Sequence, residues 1–203
     1  MATIQVPREL SEFLSVRPLP GVIGGAKVLA AGGDVFETRD PGSGEVLAEV
    51  TAMQAEDVDR AVMAAADAFE NANWANLPIN ERAVMLHRLA DEVERRRDTI
   101  GQLESLDCGK VLSQAVGDVQ NFVDTTRYFA EMALHVEQRI ALPVPNHEAW
   151  TVRKPGGPCG FIFPWNFPFL LAGWGIAPAL AAGNTVVIKP AEDTPLSTIY
   201  LAQ

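Results

Sequence analysis

Residues 156–193 read GGPCGFIFPWNFPFLLAGWGIAPALAAGNTVVIKPAED, and this stretch decides the architecture. GFIF (160–163) and TVVIK (185–189) are short, mostly apolar runs rich in aromatic and β-branched residues, the texture of strands covered on both faces. Between them Pro168 presets the first turn of a helix, the residues to Ala182 are almost entirely apolar, and Gly183 supplies the stop. Strand, buried helix and strand form a β-α-β unit. The same segment tests a membrane reading, because nothing from Pro155 to Ile188 is charged. Pro164, Pro168 and Pro178 would each disrupt a helix interior at a cost of about 3 kcal/mol, and Asn166 and Asn184 add polar groups. A buried core segment is therefore favoured over a membrane span.

Upstream, TVRK (151–154) reads as a further strand. From Ile23 to Val50, glycine-rich corners (Gly24-Gly25, Gly32-Gly33 and the run Asp40 to Gly44) alternate with short apolar runs, the pattern of small hairpins. Three helices follow. The first spans about 56–70, with Val58, Ala61, Val62, Ala65 and Phe69 at helical spacing behind Glu56 and Asp57. The second starts near Asn80 as its N-cap and carries Leu86, Leu89, Ala90, Val93, Ile100 and Leu103 on one face, with Glu94 to Arg97 on the solvated one. Gly109 separates it from a third, about 113–136. After the last strand, Thr194 as N-cap and Pro195 in the first turn open another helix in LSTIYLAQ.

The chain has 203 residues, 48% apolar and 21% charged, enough for a substantial core. Lys and Arg number 16 against 26 Asp and Glu, a net charge of -10, so neither nucleic acid nor an anionic membrane is expected as a partner. Cys108 and Cys159 lie far apart, and His87, His135 and His147 show no ligand spacing, so no metal is expected and a reduced, cytoplasmic protein fits. The first residues, MATIQVPRELSEFL, carry Glu9 and Glu12 where a secretory leader would be basic and then apolar, and no export is expected.

Two clusters carry candidate chemistry. In Phe163-Pro164-Trp165-Asn166-Phe167-Pro168 each proline fixes its own φ and pushes its predecessor away from helical geometry, so the hexapeptide is rigid and extended. Asn166 then sits just before a helix N-terminus, where an amide held in place can donate to a developing oxyanion. The plainer alternative is a proline-rich corner whose Asn caps the helix. The second cluster, Lys189-Pro190-Ala191-Glu192, follows the strand TVVIK at its carboxyl end, where ligands sit in open α/β sheets. A turn at Pro190 would let Lys189 and Glu192 face one ribose-sized group, and the alternative there is a solvated turn with two surface charges.

No G-x-G-x-x-G and no Walker-type loop occurs, so any dinucleotide must use another phosphate cradle. Neither cysteine has an activating neighbour in sequence, and both are read as packed or idle thiols. Phe169 and Trp174 are read from the pattern as core.

GGPCGFIFPWNFP and APALAAGNTVVIKPAEDTPLS together closely resemble the aldehyde dehydrogenase superfamily. The resemblance continues through DPGSGEV (40–46), EDVDRAVMAAADAF (56–69), Glu81-Arg82 and LESLDCGK (103–110), so it covers nearly the whole chain in order. It implies an α/β fold, N-terminal helices with part of a doubly wound nucleotide-binding sheet. It also implies oxidation of an aldehyde to a carboxylic acid through a cysteine thiohemiacetal, with NAD as cofactor and NADP as the alternative. By motif match Asn166 is similar to the oxyanion-hole asparagine, and Lys189 and Glu192 to the pair at the adenosine ribose, where a glutamate goes with NAD. Ile162, Phe163, Pro164 and Trp165 would line the cofactor cleft through backbone and ring contacts, and Phe167 and Trp174 the substrate tunnel. Residues 1–135 would hold the hairpins and helices of the cofactor-binding domain, 136–155 a strand-forming oligomerisation extension, and 156–203 the start of a Rossmann-like sheet. A homo-oligomer is expected of the full-length protein.

Family enzymes are considerably longer, and their nucleophilic cysteine, general-base glutamate and phosphate turn lie beyond the matched positions. The expectation is the N-terminal part of an NAD(P)-dependent aldehyde dehydrogenase, inert by itself. The alternative is a short, non-catalytic nucleotide-binding or interaction protein derived from the same family.

Overall fold

A computed structural model describes residues 7–71 and 74–203. Residues 1–6, on which part of the N-terminal reading and the start of the expected 1–135 unit fall, lie outside the described residues. Helix α1 (Arg8–Leu14) is followed by two antiparallel hairpins, β1 (Gly21–Ile23) with β2 (Ala26–Val28), then β3 (Val35–Arg39) with β4 (Val46–Thr51). Helices α2 (Ala55–Glu70), α3 (Ile79–Arg95), α4 (Arg97–Cys108) and α5 (Leu112–His135) come next. A third antiparallel pair, β5 (Arg139–Leu142) and β6 (Ala149–Val152), precedes β7 (Pro158–Ile162), α6 (Pro168–Ala181), β8 (Thr185–Lys189) and α7 (Leu196–Ala202). β7 and β8 run parallel, in register from Pro158 opposite Thr185 to Ile162 opposite Lys189.

The β-α-β unit read from the sequence is thus present, with Gly183 at φ 93° ending the turn after α6. Its apolar helix is buried because α5 covers one side. Phe122 of α5 and Phe169 of α6, both without solvent exposure, meet with ring centroids 4.8 Å apart among Ala90, Val93, Ile100, Val119 and Ile176. A second apolar cluster joins Leu10 and Phe13 of α1 to Leu19, Val50, Leu103 and Leu196, which fastens the N-terminal helix to α4 and α7.

Three sequence expectations shift. The helix expected from Asn80 through Leu103 is two helices, broken at Arg96 (φ -102°, ψ 13°). No Pro or Gly marks the break. The run Glu94 to Arg97 offers no apolar residue to hold a straight axis against the core, and Arg96 is taken by Glu92 and by Glu9 of α1 (3.2 Å). The bend sends Ile100 into the first cluster and Leu103 into the second. Second, α3 starts at Ile79 rather than at an Asn80 cap, since the extended Pro78 already offers its carbonyl to the Arg82 N–H (3.0 Å). Third, Thr194 does not cap α7; Asp107 of α4 accepts the Leu196 N–H at 2.8 Å, and the Thr194 hydroxyl is used elsewhere.

Helices α4 and α6 reach α5 through glycines. A Cβ on Gly101 would lie 2.6 Å from Val116 Cγ2 and 3.1 Å from the Val116 backbone, which cannot swing aside. Overpacking of this kind costs about 1–3 kcal/mol, set against about 1 kcal/mol of helix propensity gained by replacing glycine. Gly101→Ala is therefore expected to lower stability in a thermal melt, and a raised midpoint would show that α4 and α5 have slack between them.

Candidate functional site

Because β7 and β8 are parallel neighbours in register, the loops leaving them start from the same edge of the sheet. The Phe163 N–H donates to the Lys189 carbonyl at 3.1 Å. The loops are also tied further out, for the Thr194 hydroxyl donates to the Trp165 carbonyl at 3.0 Å. The Cys108 thiol reaches that same oxygen at 3.7 Å. Asn166 follows this doubly held carbonyl, and it is exposed, with Pro164 behind it and Pro168 ahead.

The capping reading of Asn166 gives way to another donor–acceptor pairing. In the first turn of α6 the Phe169 N–H donates to Oε1 of Glu104, a fully buried carboxylate of α4, at 3.3 Å. Asp107, one turn further along α4, serves α7 in the same manner while accepting from the Thr38 hydroxyl at 2.7 Å. Burial pushes the Asp107 carboxyl up to about 7, and the Leu196 N–H and Thr38 hydroxyl oppose the shift. Two carboxylates of one helix thus meet the N-termini of both helices that follow the site loops, where N–H groups lack intrahelical partners.

The predicted ribose pair is brought together: Lys189 Nζ lies 2.5 Å from Glu192 Oε2, and both side chains are exposed. That bond, with the Glu192 backbone N–H second, holds the Glu192 carboxyl below its usual range. Ile162 is 82% exposed and Trp165 60%, so an uncovered apolar surface lies beside the ion pair. Pro164 is exposed as well. Phe163 corrects the expectation, since it is 7% exposed and stacks on Phe161 at 5.6 Å inside the core. One residue past β7, it continues that strand's alternation and turns its ring to the face of Phe161, leaving its backbone at the carboxyl end.

Phe167 is half-buried beneath Lys110, whose Nζ lies 4.6 Å from the ring centroid. Trp174 stands two turns along α6 and is exposed rather than core, its indole N–H donating to Asn121 Oδ1 of α5 at 2.8 Å. It lines a groove of about 480 Å³ with Asp124, Thr125, Tyr128 and Phe129. Cys108 is half-buried, and burial first, then the charges of Glu104 and Asp107, drive its thiol well above the ordinary value, opposite to what a nucleophile needs. Among the described residues no group of three His, Cys, Asp or Glu could hold a metal ion, and no helix is long and apolar enough to cross a membrane.

Sequence reasoning passed over Glu104, Asp107, Lys110 and Asp118 as a working set. A signal was available, because Ile100, Leu103, Glu104 and Asp107 share one face at helical spacing, and two acids on an apolar face need partners.

A parallel strand pair whose carboxyl-end loops are tied together beside a helix N-terminus has the geometry at which ligands sit in open α/β sheets. The model of the aldehyde dehydrogenase family matches residues 28–203. The chain is 42% identical over 184 residues to the mitochondrial benzaldehyde dehydrogenase of Antirrhinum majus, covering 90% of this chain and 34% of that protein. It is 40% identical over 207 residues to the cytosolic 10-formyltetrahydrofolate dehydrogenase of Pongo abelii, covering 99% and 22%. The NAD+ complex of an aldehyde dehydrogenase from Bacillus cereus superposes with a TM-score of 0.95 at 39% identity, over 99% of this chain and 41% of that one. This chain belongs to the aldehyde dehydrogenase family. It spans 22% and 34% of the two relatives' lengths.

Proposed function

We propose that this chain supplies the oxyanion donor and the ribose contacts of an NAD-dependent enzyme that oxidises an aldehyde to a carboxylic acid. The observation that carries the reading is the tie between the two site loops, Thr194 to Trp165, which puts Asn166 and the Lys189–Glu192 pair at one sheet edge. The residues fit the cofactor. An exposed carboxylate accepts from paired sugar hydroxyls, an adjacent ammonium donates, and the uncovered Ile162 and Trp165 suit a flat, partly apolar partner. When bound, NAD accepts the hydride. Asn166 donates its amide N–H to the aldehyde oxygen as that oxygen gains charge, and Phe167 and Trp174 give the substrate apolar walls. Cys108 is not the nucleophile in this reading, because burial and the nearby charges of Glu104 and Asp107 push its thiol up. In the same reading the hairpin β5–β6, with Ile140, Leu142, Trp150 and Val152 exposed, meets a second copy of the chain, and the protein works in the cytoplasm.

The competing reading, a non-catalytic nucleotide-binding or interaction protein of the same descent, uses Lys189 and Glu192 but has no task for Asn166. Titrating the intact protein with NAD and NADP, then following NADH formation across an aldehyde panel, separates the two. Turnover supports the enzyme, and binding without turnover on any aldehyde supports the alternative. Glu192→Gln removes the charge that repels a 2'-phosphate, so the preference for NAD over NADP in kcat/KM is expected to fall about tenfold. An unchanged preference takes Glu192 away from the ribose.

A further inference from the structure

We propose that Glu104 and Lys110 are positioning residues that set the Asn166 amide by fixing the first turn of α6, an inference that rests on Asn166 being the oxyanion donor. Glu104 has no solvent exposure, and its Oε1 accepts from both the Phe169 N–H and the Lys110 ammonium, each at 3.3 Å. Its Oε2 has no hydrogen-bond partner among the described residues. A buried carboxylate so incompletely satisfied is expensive unless its cation stays in place. Lys110, 9% exposed at its side chain, is that cation, and it is held in turn by Asp118 Oδ2 of α5 at 2.8 Å. Burial works against its charge, but the bond to Asp118 and the proximity of Glu104 more than offset this and raise its pKa. The same ammonium lies over the Phe167 ring.

These contacts bracket one residue. Trp165 is pinned through its carbonyl by Thr194 and Cys108, Phe167 through its ring by Lys110, and Phe169 through its N–H by Glu104. Asn166, between the pinned neighbours, is left exposed. Apolar packing of Phe169 on Phe122 sets how deep α6 sits, whereas directional bonds to its first turn set how the preceding residue is aimed. Every charged member of the brace comes from the α4 end, the turn after it, or α5, so the device acts on Asn166 from behind without touching a substrate.

The test uses the intact protein with Glu104→Gln, Lys110→Met and the double variant. Glu104→Gln keeps the shape and an acceptor oxygen for the Phe169 N–H but removes the charge that answers the Lys110 ammonium. Lys110→Met keeps the stem and leaves Glu104 and Asp118 unneutralised. Each single variant is expected to lower kcat about tenfold or more with KM for NAD within about twofold, and the double variant to lose no more than the worse single, because the pair acts as a unit. Amide hydrogen exchange is expected to quicken over residues 163–171 while β8 is unchanged. The inference is overturned if kcat stays within about twofold of wild type in both singles, or if kcat and KM worsen together with faster exchange in every helix, which is ordinary loss of structure. If Lys110→Met does not fold, Glu104→Gln decides alone. If the wild type forms no NADH with any aldehyde, the functional reading fails separately, and exchange judges the brace: quickened exchange at Phe169 upholds it, unaltered exchange removes it.

Discussion

Asn166→Ala in the intact protein is expected to lower kcat by about 10²- to 10³-fold, with affinity for NAD nearly unchanged. The magnitude follows from what the side chain is free to do. Its amide is exposed, the helix behind it is capped by Glu104, and its neighbours on both sides are fixed by Thr194, Cys108 and Lys110. A donor held in place before charge develops saves its reorganisation, and removing one such donor costs about 3–4 kcal/mol of transition-state stabilisation. The contact strengthens as the oxygen becomes anionic, so the loss belongs in kcat rather than in cofactor binding. Steady-state kinetics with a saturating aldehyde checks it, and turnover equal to the wild type removes Asn166 from the chemistry.

Phe169→Ala is expected to cost about 3–5 kcal/mol of stability, the usual range for truncating a fully buried aromatic ring. Phe169 has no solvent exposure and lies 4.8 Å from Phe122 in the cluster joining α3, α4, α5 and β7 to α6. Gly173 brings the Phe122 backbone within 3.1 Å of where a Cβ would stand, so the two helices are already at their closest approach and cannot collapse into the void. Against a total stability of about 5–15 kcal/mol this is a large fraction. Chemical denaturation of the two proteins measures it, and a difference under about 1 kcal/mol would mean that the interface repacks freely.

Much of this arrangement was legible in the chain. The alternation of TVVIK, Gly183 and the apolar 168–182 run fixed the β-α-β unit because proline, glycine and burial each act locally. Gly109, at φ 71°, ended α4 where glycine alone is comfortable. What escaped was carried by contacts between elements remote in sequence. Glu104 and Phe169 are 65 residues apart, and Asp107 and Leu196 are 89 apart, so no local signal pairs them. The break at Arg96 escaped for a similar reason, since part of its cause, Glu9, lies 87 residues upstream. For Trp174 the apolar pattern points to the core and the resemblance to a substrate wall; the pattern fails because an apolar helix need not be covered on every side, and Trp174 faces a groove beside α5. Thr194 was misread as a cap because its hydroxyl was needed by a loop from the neighbouring strand.

The central claim, that Asn166 and Glu192 serve one cleft, is met most directly by a crystal structure of the intact protein with NAD bound. Density is expected in which the adenosine ribose hydroxyls meet Glu192 and Lys189 while the nicotinamide end lies beside the Asn166 amide. NAD seated away from the carboxyl ends of β7 and β8, or touching Glu192 with Asn166 turned into a separate cavity, would contradict it.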